Sequence, residues 1–303
     1  MALLRALVDV ILPVVLVAGV GAFLARRFTL DRVTITKVAL NALVPALAFQ
    51  TILTTEVSGR VGLQLVIAFV IVTLLAAGLG WLGTFGSTGH ARRSAAVAVA
   101  IGNNGNMGLP IALFALGREG LDQSVLIFVC SVVMTFVLAP LLYGAHEGWR
   151  GALRGMLRLP VIWAMVAALL IRASGIALPT GIGRGIELLA AACLTIILLT
   201  LGIQLGQSGR VRLSRPVIIA SVLRVGVLPF VGLPIGYAVG LRGVPLQALA
   251  LSLAMPTAVN AFLLAQEYEG DVEFVAHTVT VSTVLSFLGA AIVTAFLPSI
   301  GAL

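Results

Sequence analysis

Apolar residues dominate ten successive runs of the chain, and short polar connections separate these runs. A helix needs about 20 apolar residues to cross the hydrocarbon core of a bilayer, which is about 30 Å thick. Because each run has about that length, the pattern predicts an all-α polytopic membrane protein with ten transmembrane helices. The runs cover roughly residues 3–25, 35–55, 61–83, 94–117, 123–143, 159–175, 184–206, 216–240, 246–268 and 273–297.

The fourth run is interrupted by polar residues. Three asparagines, three glycines and a proline lie within the nine residues from Gly102 to Pro110. Glycine and proline disfavour a helix interior, and asparagine side chains compete for backbone hydrogen bonds. Within a bilayer, irregular backbone is tolerated only where it is buried in protein or lines a watery cavity. We therefore expect a broken helix here, and such a break is the best sequence pointer to a transporter's binding site.

The ninth run carries a second break, over residues 254–260, with Pro256 near the middle of the span. The longest connection, residues 144–158, separates segments 1–143 and 159–303, which contain five runs each. Because five is odd, a repeated five-span unit must insert upside down. Interrupted spans at matching positions in two halves are the signature of inverted repeats. The sequence thus predicts two inverted five-helix repeats whose breaks meet near mid-membrane.

Composition and charge fit this class of protein. The chain is 60% hydrophobic and 10% charged, with a mean hydropathy of +1.15, whereas soluble domains are about 25% charged. The net charge of +8 comes from arginines in the connections, which indicates topology rather than a nucleic-acid partner. Alternate connections carry twelve basic residues on one side and six on the other. The positive-inside rule then places both termini on the non-cytoplasmic side of the inner membrane.

Several motifs give the chain a resemblance to a known family. The most specific is the stretch Met255-Pro256-Thr257-Ala258-Val259-Asn260-Ala261, and Asn103–Pro110 and the second-run motif Leu40–Phe49 accompany it. Together they resemble the auxin efflux carrier family, whose fold is similar to that of bile-acid sodium symporters and sodium–proton antiporters. The resemblance implies ten helices, two broken helices crossing, and transport of small organic anions such as auxin, malate or malonate. The short central connection suggests a bacterial-type member, although the seventh run lacks the proline that family members often carry there.

The candidate substrate-binding residues lie at the two breaks and on two further helices. Asparagine amides can bind a carboxylate or cap half-helix ends, and each proline suits the first turn of a half-helix, where N–H groups form an anion site. Thr257 and Asn260 are three residues apart, so we expect them on one face of the second half-helix. Arg224, inside the eighth run, snorkels to the cytoplasmic surface, attracts the anion or pairs with a neighbouring group. The full set is Asn41, Asn103, Asn104, Asn106, Pro110, Arg224, Met255, Pro256, Thr257 and Asn260.

The spans contain no nucleophile–base pair, and the chain has no phosphate-cradling Gly-Lys-Thr/Ser motif, so neither an enzyme nor an ATP-driven pump is expected. His90, His146 and His277 lack further ligands at metal-binding spacing, so we expect no metal and no cofactor. The predicted function is a secondary-active or uniport permease for a small mono- or dicarboxylate, working by alternating access. A sodium-coupled symporter and a non-transporting receptor remain alternatives. The expected partners are the organic anion, the lipid bilayer and a second copy of the chain in a homodimer.

Overall fold

A computed structural model describes residues 2–55, 57–144, 148–207 and 211–302. Its regular structure is helical, apart from one isolated antiparallel bridge between Gly102 and Thr257. The helices are α1 (Ala2–Arg27), α2 (Arg32–Thr54), α3 (Gly59–Gly83), α4 (Gly89–Ala100), α5 (Asn104–Tyr143), α6 (Gly148–Leu157), α7 (Pro160–Ser174), α8 (Thr180–Gly206), α9 (Arg215–Val239), α10 (Gly243–Leu253), α11 (Val259–Glu267) and α12 (Val272–Gly301). His146, one of the three histidines considered for metal binding, lies outside the described residues, as does Arg210, one of the twelve basic residues that set the predicted orientation.

By length and composition, seven of the described helices can cross a membrane, and α7 and α10 are shorter apolar helices. The predicted all-α, polytopic architecture is therefore confirmed. The count of ten crossings and the inverted repeat stay predictions. Within α5, Gly117 has a non-helical backbone (φ 69°, ψ −158°), so this 40-residue helix changes direction where the fourth and fifth runs were predicted to separate.

Proline explains the four π-helical turns inside the long helices. These turns cover Ala6–Ile11, Ala39–Leu43, Asn104–Gly108 and Leu223–Val227, and a proline follows two residues after each of them. A proline lacks an N–H and its ring clashes with the carbonyl one turn earlier, so the helix widens locally to re-pair the freed groups. Arg224 lies on one of these widened turns, and Asn104 and Asn106 of the first break lie on another.

The helices pack as two groups. In one group, α1 and α2 pack against α8, and α2 also packs against α7. In the other, α3 packs against α4 and α9, while α10 packs against α5 and α12. The closest approach in the first group involves glycines, because a Cβ at Gly202 would lie 1.8 Å from the carbonyl oxygen of Ala18. Such small-residue contacts let membrane helices approach backbone to backbone.

Candidate functional site

The two breaks lie side by side and are joined through their backbones. Helix α4 ends at Ala100, and α10 ends at Leu253. Between these ends and the following helices, the Asn103 amide donates to the Pro256 carbonyl at 2.7 Å, and the Ala258 amide donates to the Ile101 carbonyl at 2.9 Å. These bonds satisfy backbone groups that the interrupted helices leave unpaired, which a bilayer interior requires. The structure therefore brings the two sequence-predicted breaks into direct contact.

Thr257 is part of this junction and does not lie on the second half-helix. Its side chain is 0% exposed, its hydroxyl donates to the Ala98 carbonyl at 2.7 Å, and its amide donates to the Ser282 hydroxyl at 3.1 Å. Helix α11 begins only at Val259, so the predicted common face of Thr257 and Asn260 is wrong. The reason is that the hydroxyl satisfies a carbonyl freed where α4 ends.

The two prolines have different positions. Pro110 lies in the first α-helical turn after the π-helical turn of α5, as predicted. Pro256 lies three residues before α11 starts, so its predicted place in a first helical turn is wrong. Its carbonyl instead accepts the Asn103 amide, which keeps this residue in the extended junction between the breaks.

The asparagines of the first break have distinct environments. The Asn103 side-chain oxygen accepts the Asn106 amide at 3.2 Å and so caps the π-helical turn. The Asn103 side-chain nitrogen is buried and has no partner among the described residues. Asn104 is 2% exposed, and both polar atoms of its amide are likewise unpaired within the described part of the chain. Buried polar groups are nearly always hydrogen-bonded, so these amides are available to bond to a water molecule or a ligand.

A cavity of about 320 Å³ opens beside the junction. Asn103, Gly105 and Asn106 line it from the start of α5, and Ala258, Val259 and Asn260 line it from the start of α11. The N-terminal ends of two helices therefore border the same space, and helix N-termini carry a partial positive charge of about half a unit each. Neither end has an acidic residue in its first turn. A mostly apolar cavity with a few convergent polar groups is typical of small-molecule sites.

Sequence reasoning missed one wall of this cavity. Phe128, Ser131 and Thr135 are spaced three and four residues apart on α5 and all line the space. That spacing marks one face of a helix and could have been read from the fifth run. Further lining residues come from α2, from the α6–α7 connection and the start of α7, and from the rest of α11, and they include Thr36, Leu40, Pro160, Leu263 and Glu267.

Several predicted site residues do not line the cavity. Asn104, Pro110, Met255, Pro256 and Thr257 are buried in the protein around the junction. Asn41 is exposed on α2, where its amide donates to the Lys37 carbonyl one turn earlier at 2.8 Å. Of the predicted asparagines, the structure places Asn103, Asn106 and Asn260 at the cavity.

Arg224 is 2% exposed, so the predicted alternative of snorkelling to the surface is wrong. It does not line the cavity either. Its guanidinium donates to the carbonyls of Met255 at 2.8 Å, Val99 at 3.3 Å and Ser252 at 3.3 Å, which lie where α4 and α10 end at the two breaks. A buried cation is stable only when it is paired and hydrogen-bonded, and here backbone carbonyls supply the partners.

Comparisons with known proteins find sequence similarity to membrane transporters. Residues 149–294, which include the second break, match the family described as membrane transport protein. An uncharacterized transporter of Methanothermobacter thermautotrophicus is 26% identical over 85% of this chain and 86% of its own. A putative malonate transporter of Rhizobium meliloti is 28% identical over 62% of each chain. The auxin efflux carrier component 1 of Arabidopsis thaliana is 30% identical over 40% of this chain and 20% of its own. These similarities support the predicted membership of the auxin efflux carrier family, a family of membrane transporters.

Proposed function

We propose that the protein is an inner-membrane permease for a small organic anion, a mono- or dicarboxylate, which binds in the cavity beside the two breaks. The observation that carries this proposal is the unpaired, buried amide nitrogen of Asn103 at a cavity bordered by two helix N-termini. Such a site offers hydrogen-bond donors and partial positive charge to a carboxylate. The malonate named for one relative belongs to the same chemical class.

The position of the cavity supports transport by alternating access. Thr36 and Pro160 lie at the starts of α2 and α7, and Glu267 ends α11, so the cavity extends toward the face where those helix ends lie. In the predicted orientation this face is cytoplasmic. A second cavity, of about 600 Å³, is lined by Thr55 at the end of α2 and by Asp122 beyond the bend of α5. We propose that the described conformation is open to the cytoplasm and that the second cavity belongs to the outward route.

The two packing groups fit the moving parts of such a mechanism. Helices α1, α2, α7 and α8 would form a wall, and the group containing both breaks would move against it with the bound anion. With α4 and the first part of α5 as one broken span, and with α10 and α11 as another, this arrangement corresponds to the ten predicted crossings.

Radiolabelled malonate should accumulate in proteoliposomes that contain the purified protein, and unlabelled malate should compete with it. Malonamide has the same carbon chain without negative charge, so it should compete at least tenfold more weakly, since a desolvated hydrogen bond to a charged group is worth about 1.5–3 kcal/mol. Repeating the uptake with and without sodium, and with and without a pH gradient, separates a uniport from sodium or proton coupling. Binding of a carboxylate without any flux would favour the receptor alternative. If no mono- or dicarboxylate in a panel binds or crosses, the proposal fails.

The orientation can be tested with single cysteines in a background where Cys130 and Cys193 are replaced by alanine. Gly89 and Gly181 are exposed, and a Cβ at either position meets no other atom within 4 Å. An impermeant thiol reagent should label Gly181→Cys in intact cells and Gly89→Cys only after the inner face is made accessible. The opposite pattern would invert the proposed topology.

A further inference from the structure

Arg224 is the one charged side chain that is buried among the described residues. The ion pairs found in that part of the chain join Arg212 and His277 to Glu273 and do not involve Arg224. A full positive charge in a membrane protein interior therefore has no carboxylate partner there. Such a charge is expensive, so the groups that surround it must offset its cost.

The groups that offset this charge are two helix ends. Val99 lies in the last turn of α4, Ser252 lies in the last turn of α10, and Met255 follows α10 by two residues. All three carbonyls accept hydrogen bonds from the guanidinium. A helix C-terminus leaves its last carbonyls unpaired and carries about half a negative charge. Two such ends together amount to about one negative charge, which the guanidinium balances.

This balance changes the field in the neighbouring cavity. Four helix ends meet at the junction, and without a cation the two negative ends would oppose the two positive ends of α5 and α11. Gly102 shows how close the guanidinium is, because this residue lines the cavity while its Cβ position would lie 1.9 Å from an Arg224 nitrogen. The guanidinium charge therefore lies directly behind the cavity wall. It neutralises the two negative helix ends, so the positive N-terminal ends of α5 and α11 dominate the field in the cavity.

We propose that Arg224 is a positioning residue that acts as the fixed counter-ion of the two broken helices and thereby gives the cavity its preference for an anion. The first part concerns the junction itself and does not depend on transport. The second part rests on the proposed function. Arg224 never touches the anion in this account, which distinguishes it from the ligand predicted from the sequence.

Chemical rescue tests the counter-ion without any substrate. Arg224→Ala leaves a space shaped for a guanidinium between three carbonyls, so the purified variant should have a Tm several degrees below that of the wild type. Guanidinium chloride at a few millimolar should restore part of the loss, whereas urea, a neutral molecule of similar shape, should not. Neither compound should change the wild-type Tm at that concentration. Equal effects of guanidinium and urea on the Tm of the variant would overturn the proposed counter-ion role.

Charge-matched substitutions test the effect on the cavity. Arg224→Lys keeps the charge with fewer donors, and Arg224→Gln removes it at similar length. Malonate should bind Arg224→Lys within about tenfold of the wild type and Arg224→Gln about a hundredfold more weakly. The KM for malonate uptake should rise in the same order, while the yield of purified protein should stay similar. If the lysine variant is no better than the glutamine variant in yield, Tm and affinity, charge is not what matters and the proposal is wrong.

The two tests also separate this inference from the proposed function. A wild-type protein that binds no carboxylate, but whose alanine variant is rescued by guanidinium, would refute the anion site and support the counter-ion. Rescue combined with wild-type malonate affinity in Arg224→Gln would overturn the link between the counter-ion and anion preference.

Discussion

Asn260→Ala should weaken malonate binding about ten- to a hundredfold while the protein folds normally. Asn260 is exposed at the cavity in the first turn of α11, so its amide is free to meet a carboxylate without disturbing the junction. A lost hydrogen bond to a charged group costs about 1.5–3 kcal/mol, which corresponds to that range of affinity. Calorimetric titration of the purified variant measures the effect directly.

Asn41→Ala is the matched control for this substitution. It removes the same amide from an exposed helix position outside the cavity, where the side chain donates to the Lys37 carbonyl of its own helix. The control should bind malonate with wild-type affinity. If Asn260→Ala also binds with wild-type affinity, the asparagine is not a ligand and the anion contacts other groups. Asn103→Ala is less decisive, because it also removes the cap on the Asn106 amide.

Gly202→Val should prevent the protein from folding into a monodisperse species. A Cβ at this position would lie 1.8 Å from the Ala18 carbonyl oxygen, and the reciprocal Gly21 Cβ would lie 2.2 Å from the Leu199 carbonyl oxygen. Both obstacles are backbone atoms, so α1 and α8 would have to separate along their length. Overpacking a core costs about 1–3 kcal/mol even where neighbouring side chains can move aside. Here the obstacles are backbone atoms of a packed helix, so the cost should be larger. Size-exclusion profiles of detergent-solubilised membranes report the outcome.

Gly19→Val provides the comparison, because Gly19 lies one residue from Ala18 in α1 and its Cβ would meet no atom within 4 Å. This variant should elute like the wild type. That result would show that valine in a membrane helix does not by itself prevent folding. A normal profile for Gly202→Val would contradict the close packing of α1 on α8.

The breaks themselves could be predicted from the sequence because their cause is local. Asparagine, glycine and proline within Gly102–Pro110, and Pro256 in the ninth run, interrupt helices wherever they occur. Where each helix resumes could not be predicted in the same way. Thr257 stays extended because it bonds to Ala98, which is 159 positions away, and no local preference contains that contact.

The partners of Arg224 could not be predicted from the sequence either. The apolar run around it predicted a residue inside a span, and the structure buries the side chain in the protein. Its three partners are backbone carbonyls of two other helices, and a carbonyl has no signature in the sequence. The cavity-lining face of α5 was different, because the spacing of Phe128, Ser131 and Thr135 is visible in the sequence without any tertiary information.

The central claim, that a carboxylate occupies the cavity beside the two breaks, is tested most directly by protection of a cysteine placed there. Leu263 is exposed, lines the cavity on α11 and is one turn from Asn260. In the background where alanine replaces Cys130 and Cys193, saturating malonate should slow thiol labelling of Leu263→Cys at least fivefold and leave labelling of Gly89→Cys unchanged. Equal labelling of Leu263→Cys with and without malonate, in protein that binds malonate, would place the anion elsewhere and contradict the account.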